Sequence, residues 1–181
     1  MSSLIVKFAE TSEELEQAFF IRYKVFCEEV GFFRVSDFPD GLLKDEYDDY
    51  SLQCIAVKDG IVVGTSRITP YISGRPFLIE KDVDLPDIFC REKSVEFSRG
   101  AILKEHRNML GILLKVLDFM YEYCKERGIL QIATFANLKM YLLYKKMGAP
   151  FLYVGDRKII NGFESVPLIF EVRSDFRILG K

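Results

Sequence analysis

The chain contains no tryptophan and a single histidine, His106. One histidine excludes any mechanism built on several imidazoles, a His-rich metal site included. Without tryptophan, aromatic packing rests on 16 phenylalanines and 9 tyrosines. An excess of charge of one sign is also missing. The 25 basic and 27 acidic side chains leave a formal charge of -2, which argues against a nonspecific nucleic-acid binder, normally strongly basic. The four cysteines, Cys27, Cys54, Cys90 and Cys124, lie far apart, and no pair has zinc-ligand or redox-motif spacing. They read as reduced thiols serving as small core residues in the cytoplasm. No apolar run approaches the roughly 20 residues of a membrane span. The N-terminus runs straight into a charged helix, so neither an integral membrane segment nor a signal peptide is expected.

A chain of 181 residues suits one domain over residues 1–181 and can build an apolar core without disulfides or metals. Leu4 to Phe8 reads as a strand. Thr11 followed by Glu14 is a capping-box pattern, opening a helix to about Val30. Its apolar stripe is Leu15, Phe19 and Phe26. Gln53–Lys58 and Ile61–Thr69 flank Asp59-Gly60, a strong hairpin signal. Val95–Leu103 reads as a central strand. Leu110–Arg127 reads as the best helix, with Leu110, Leu113, Leu114, Leu117, Tyr121 and Cys124 on one face and Gly128 closing it. A buried strand from Leu130 to Phe135, a helix from Asn137 to Gly148, and strands at Phe151–Val154 and about Val166–Arg173 complete the order. A strand–helix–strand unit following an antiparallel hairpin predicts an α/β (α+β) fold: a mixed sheet with helices on both faces.

Charged residues stand where packing alone would not place them. Arg22 interrupts the stripe of the first helix, Arg67 sits on the second hairpin strand, and Glu96 and Arg99 interrupt the central strand. A lone buried charge is very costly, so these residues should pair. Asp45 and Asp48, within the acidic loop Phe32–Tyr50, offer partners for Arg22 and Arg67. Such a set is either a structural ion-pair network or an active site, since both perturb charges in the same way. Glu96 and Arg99, three apart, would face opposite sides of a regular strand. A bulge near Phe97–Ser98 would bring them together and leave spare backbone amides, suited to holding an oxyanion beside a thioester.

Four pieces of sequence then fall in order. Ile21-Arg22-Tyr23-Lys24-Val25-Phe26 with Gly31-Phe32, Asp45-Glu46-Tyr47-Asp48, Ser66-Arg67-Ile68-Thr69-Pro70 and Glu96-Phe97-Ser98-Arg99 together resemble the acyl-homoserine-lactone synthases. That family lies within the GNAT acyltransferase superfamily, as do the N-acyl amino acid synthases. Asn137–Gly148 is similar to the C-terminal helix of GNAT enzymes in general. The resemblance implies a GNAT fold splayed at a bulged central strand. It also implies an enzyme that moves an acyl group from an acyl-carrier-protein or acyl-CoA thioester to the amine of a small amino-acid-like acceptor, with no tightly bound cofactor. By position, Glu96, Ser98 and Arg99 would be catalytic, with Glu96 as the base. Arg22, Phe26, Phe32, Asp45, Asp48 and Arg67 would bind the acceptor or order the loop around it. Phe32 stands where the lactone synthases usually carry Trp, and the chain is somewhat short. An N-acyl amino acid synthase, or a related acyltransferase, is therefore the better match than a lactone synthase using S-adenosylmethionine.

The turn Lys104–Gly111 lacks the Gly-rich phosphate-binding spacing of most acetyl-CoA-dependent GNAT enzymes. Lys104, His106 and Arg107 make it basic, which suits either an acyl carrier protein or an ordinary solvated turn. Tyr141 and Tyr144 lie at helical spacing. Both, Tyr144 above all, are candidates for a general acid beside the leaving thiolate, while tyrosines at such spacing more often serve the core. The rival from another class is a non-catalytic module that senses acyl carriers or amino acids.

Overall fold

The computed structural model describes residues 3–107 and 110–179. The chain divides into two compact units, Met1–Ile68 with Arg99–Met120 and Thr69–Ser98 with Tyr121–Lys181. The first holds strand β1 (Leu4–Phe8), helix α1 (Ser12–Arg22) continued by a π-helical turn (Tyr23–Glu29), strand β2 (Leu52–Lys58), most of β3 (Ile61–Pro70), the end of β4 (Ser94–Ile102) and the start of α2 (Leu110–Glu126). The second holds the rest of these elements, then β5 (Gln131–Asn137), α3 (Leu138–Lys146), β6 (Phe151–Val154), β7 (Lys158–Ile160) and β8 (Phe163–Glu171). The strands form one mixed sheet, in the order β1-β2-β3-β4-β5-β8-β6 with β7 on β8.

In the first unit, Thr11 caps α1 by accepting the Glu14 N–H at 3.2 Å. The Glu14 carboxylate accepts the Glu10 N–H at 2.9 Å, one residue before the amide that a regular capping box uses. The helix stays α-helical only to Arg22. Ala18, Ile21 and Val25 pack with Ile55, Val62 and Ala101, while Phe26 is only partly buried. The stripe expected from Leu15, Phe19 and Phe26 is thus one residue out, and it is so already at Ala18 and Ile21, within the α-helical part. Arg22 keeps its expected place on the buried face. The Asp59-Gly60 hairpin forms as expected, with positive φ at both residues (51° and 84°), as a type I′ turn demands.

In the second unit, β4 runs parallel to β5, and β5 pairs antiparallel with β8. Asn137 caps α3 through the Met140 N–H at 2.9 Å. Gly128 after α2 and Gly148 after α3 both sit at positive φ. Ile129 N–H reaches Cys124 O and Ala149 N–H reaches Tyr144 O, which is Schellman closure at both helix ends. The short strand β7 was not expected. It turns into β8 at Asn161-Gly162, another pair at positive φ, so β8 begins at Phe163 rather than near Val166. Along α2 the buried residues are Ile112, Val116, Leu117, Met120, Tyr121 and Cys124, and Leu113 and Leu114 are only half-buried. The helix is apolar on more than one side, so periodicity alone does not select its inner face. The second unit has its own core of Phe77, Ile79, Phe89, Ala133 and Ile169.

Candidate active site

Within the first unit, three arginines converge on two aspartates. Arg22, from α1, donates to Asp48 at 2.8 Å and to the Gln53 carboxamide oxygen. Arg67, from β3, donates to Asp45 at 2.5 Å and Asp48 at 3.0 Å. Arg99, from β4, closes on Asp45 through Nη2 at 2.6 Å and Nε at 3.2 Å. Gln53 Nε2 adds a bond to Asp48 at 2.9 Å. The Asp45 N–H donates to the other Asp48 oxygen at 2.8 Å, and the Tyr47 N–H donates to Asp45 at 3.0 Å. The side chains of Arg22 and Arg67 are fully buried. Removing such charges from water is compensated only by this density of partners.

The network sets the charge states. Burial depresses the Arg22 pKa to about 10, opposed by the attraction of Asp48. Burial also lowers that of Arg67, but Asp48 and Asp45 outweigh it and the net direction is upward. Burial pushes the Asp45 carboxyl up. The charges of Arg67 and Arg99 and their hydrogen bonds more than reverse this, to about 2. Arg22, Arg67 and Asp45 are therefore charged near neutrality. Phe32 and Phe26 meet edge to face with centroids 6.2 Å apart, Phe32 meets Phe33 at 4.9 Å, and the Arg99 guanidinium lies over the Phe33 ring at 5.0 Å.

Strand β4 carries the remaining candidates. Arg99 has φ +57°, a left-handed conformation that costs a non-glycine residue of the order of 1 kcal/mol. The irregularity thus falls at Arg99, one residue beyond the expected Phe97–Ser98. In the second unit, Glu96 is 1% exposed and accepts the Ile79 N–H at 3.3 Å. Parallel pairing with β5 covers Ser94–Glu96 against Gln131–Ala133 among the described residues. Immediately past it, Thr134 Oγ1 donates to the Phe97 carbonyl at 2.8 Å, a side-chain bond where a ladder bond would otherwise stand. Ser98 is half-buried on the same strand.

The acetyltransferase (GNAT) domain family matches residues 21–116, just over half of the chain. The chain belongs to the GNAT acetyltransferase family. This makes it an acyltransferase enzyme. It is 26% identical to an acyl-homoserine-lactone synthase of Vibrio anguillarum, with 94% of this chain and 95% of that protein covered. Among solved structures, it superposes on the AHL synthase LasI with a TM-score of 0.79 at 20% identity, covering 97% of this chain and 93% of the other. For FeeM, an N-acyl amino acid synthase from uncultured soil microbes, the TM-score is 0.72 at 12% identity, covering 95% and 92%. The expected resemblance to the acyl-homoserine-lactone synthases is met by the Vibrio anguillarum match, and both solved structures share the fold.

The basic turn of this GNAT enzyme differs from the sequence picture. Lys104 is exposed and His106 half-buried. Arg107 is held: it donates to both carboxylate oxygens of Glu29, with Nη2 at 2.7 Å, and through Nε to the Ile102 carbonyl at 2.8 Å. Its charge is already neutralised by a partner. Asn108 and Met109 of this turn lie outside the described residues, as does the Leu110 side chain. Tyr144 packs edge to face on Phe170 at 5.2 Å, and burial raises its phenol pKa, so it keeps its proton. Three functional contacts escaped the sequence reading. Gln53 carried a signal, a polar residue opening a run of buried apolar ones. Phe33 and the Ile79 amide carried none, because neither a ring under a guanidinium nor a backbone donor has a sequence signature. Among the described residues, no His/Cys/Asp/Glu group could hold a metal ion, and no helix is long and apolar enough to cross a membrane.

Proposed function

We propose that this GNAT enzyme transfers an acyl group from a thioester to the amine of a small amino-acid-like acceptor. The observation that carries the reading is Glu96, a buried carboxylate placed where β4–β5 pairing ends. In the proposed reaction the amine attacks the thioester carbonyl, so a C–N bond forms and the C–S bond breaks. Glu96, directly or through a water, takes the proton lost by the amine, and the leaving thiolate takes one up. Ser98 belongs to the stretch of β4 beyond the paired residues, where a backbone amide suits a developing oxyanion. The Arg22, Asp45, Asp48, Arg67 and Arg99 network orders the acidic loop, and Asp45 is the carboxylate with enough exposure to meet an acceptor ammonium. The donor we favour is an acylated carrier protein working with a cytoplasmic enzyme, supported by exposed Lys104 and the absence of the Gly-rich phosphate spacing. Acyl-CoA is the alternative donor.

The test is thiol release from acyl carrier protein and acyl-CoA over a panel of amino acids, with product mass spectrometry. The expected product is an N-acyl amino acid. Glu96→Gln should lower turnover by roughly two to four orders of magnitude with the fold retained. A fully active Glu96→Gln enzyme would remove Glu96 from the mechanism. A second reading, a lactone synthase using S-adenosylmethionine, is favoured by the near full-length match to the Vibrio anguillarum protein. It would yield an acylated lactone with that acceptor alone. No thiol release with any donor would support a sensing module instead.

A further inference from the structure

We propose that Glu80 is a positioning residue for Glu96, acting through the peptide amide of Ile79. The proposal rests on the base role of Glu96 given above. Ile79 is fixed on every side that the structure describes. Its N–H donates to Glu96 Oε2 at 3.3 Å. Its carbonyl accepts the Asp82 N–H at 3.2 Å and the Val83 N–H at 3.1 Å. Its side chain is fully buried in the core of the second unit beside Phe77, Phe89, Ala133 and Ile169.

The turn that presents this amide is the 3-10 segment Leu78–Lys81, and Glu80 closes it. The Glu80 N–H donates to the Phe77 carbonyl at 3.1 Å. The Glu80 carboxylate in return accepts the Phe77 N–H at 2.8 Å. Four residues carry no helix by themselves, so this reciprocal pair, spanning Phe77 to Glu80, sets the direction of the Ile79 N–H between them. Arg91 grips the outer oxygen of Glu80 through Nε at 2.8 Å and through Nη2. The segment bearing Arg91 is itself clipped to β5, because Gln131 accepts the Cys90 N–H at 2.7 Å and donates to the Ile88 carbonyl at 2.9 Å.

A directed amide on one carboxylate oxygen of a base helps to aim the other. A small misplacement of a reacting group is costly in rate. The Glu80 carboxylate is nearly buried whereas Arg91 is about half exposed. The capping bond should therefore matter far more than the ion pair, since exposed pairs contribute little.

The experiment is a double-mutant cycle in kcat with the full chain. Glu80→Ala is expected to lower kcat by about tenfold with the KM of the acyl donor nearly unchanged. Glu80→Gln keeps an oxygen that can accept the Phe77 N–H and should stay within about twofold of the unmodified enzyme, as should Arg91→Ala. In the Glu96→Gln background, Glu80→Ala should cause no further loss, because the group it positions is gone. An equal fractional loss in both backgrounds would overturn the positioning role while leaving Glu96 as the base, and so would a change in KM alone. A fully active Glu96→Gln enzyme would overturn both readings. If Glu80→Ala fails to fold, Glu80→Asp, a methylene too short for the Phe77 amide, carries the same cycle with the same outcomes.

Discussion

Arg22 Nη1 lies 2.8 Å from Asp48 Oδ1, with both side chains almost wholly removed from water. The first comes from α1 and the second from the acidic loop 26 positions later. Their contact fastens that loop to the helix, together with the Leu43 N–H donated to the Phe19 carbonyl at 3.1 Å. Gln53 bonds both partners and makes the pair a three-way junction.

Removing Arg22 leaves Asp48 buried with part of its compensation gone. Arg22→Ala should cost about 3 kcal/mol, the lower range for breaking a buried pair. Arg22→Lys should fall between, since one ammonium cannot reach Asp48 and Gln53 with the fork geometry of a guanidinium. Urea denaturation of the three proteins checks this. An unchanged midpoint for Arg22→Ala would mean that the pair contributes nothing to stability.

Asp45 makes stability depend on acid. Its folded pKa is depressed to about 2 from the ordinary 3.8. A depressed carboxylate contributes stability that is fully present above the unfolded pKa and is lost as pH falls through the folded one. That contribution, roughly 2 kcal/mol, should therefore disappear between about pH 4 and pH 2. Asp45→Asn should be less stable at neutral pH and lose less across that window. Parallel loss in both proteins would assign the acid sensitivity to other carboxylates.

The four thiols should separate cleanly. Burial pushes Cys54 and Cys124 to about 12 and raises Cys27, whereas Cys90 is exposed. Because the thiolate is the reactive form, a thiol reagent at about pH 8 should modify Cys90 rapidly in the folded protein. The other three should react only on unfolding. Cys90→Ser should abolish the fast phase, and a second fast thiol would place one of the buried cysteines within reach of solvent.

Lys104 is the cation of the basic turn best placed to meet an acidic carrier surface, because Arg107 is engaged by Glu29. The KM for an acyl carrier protein should rise with ionic strength, since exposed charges are screened within about 10 Å at about 0.1 M salt. It should rise again in Lys104→Glu. A short acyl-pantetheine donor, which lacks the carrier surface, should respond to neither change. Equal sensitivity of both donors would remove Lys104 from carrier recognition.

Local chemistry was the readable part of the fold. Thr11, Asn137, Gly128, Gly148 and the Asp59-Gly60 turn all act where their residue types require, because caps and tight turns depend on a few neighbouring dihedrals. Asn161-Gly162 carries the same signal and forms the turn from β7 into β8. The inner faces of α1 and α2 were not readable. They depend on which of several apolar residues the packed neighbours admit.

For the candidate site, the sequence by itself determined that Arg22, Arg67 and Glu96 sit in buried company, since each interrupts an apolar pattern and an unpaired buried charge is too costly to keep. Only the tertiary structure decided how the charges divide: Asp48 to Arg22 and Arg67, Asp45 to Arg67 and Arg99, and Arg107 to Glu29. It also decided that a backbone amide from Ile79 meets Glu96. Pairings between residues 17 to 78 positions apart have no period and no spacing rule. They follow from the register of β2 on β3, the left-handed residue at Arg99 and the path of the loops, which are settled by the packing of the whole chain.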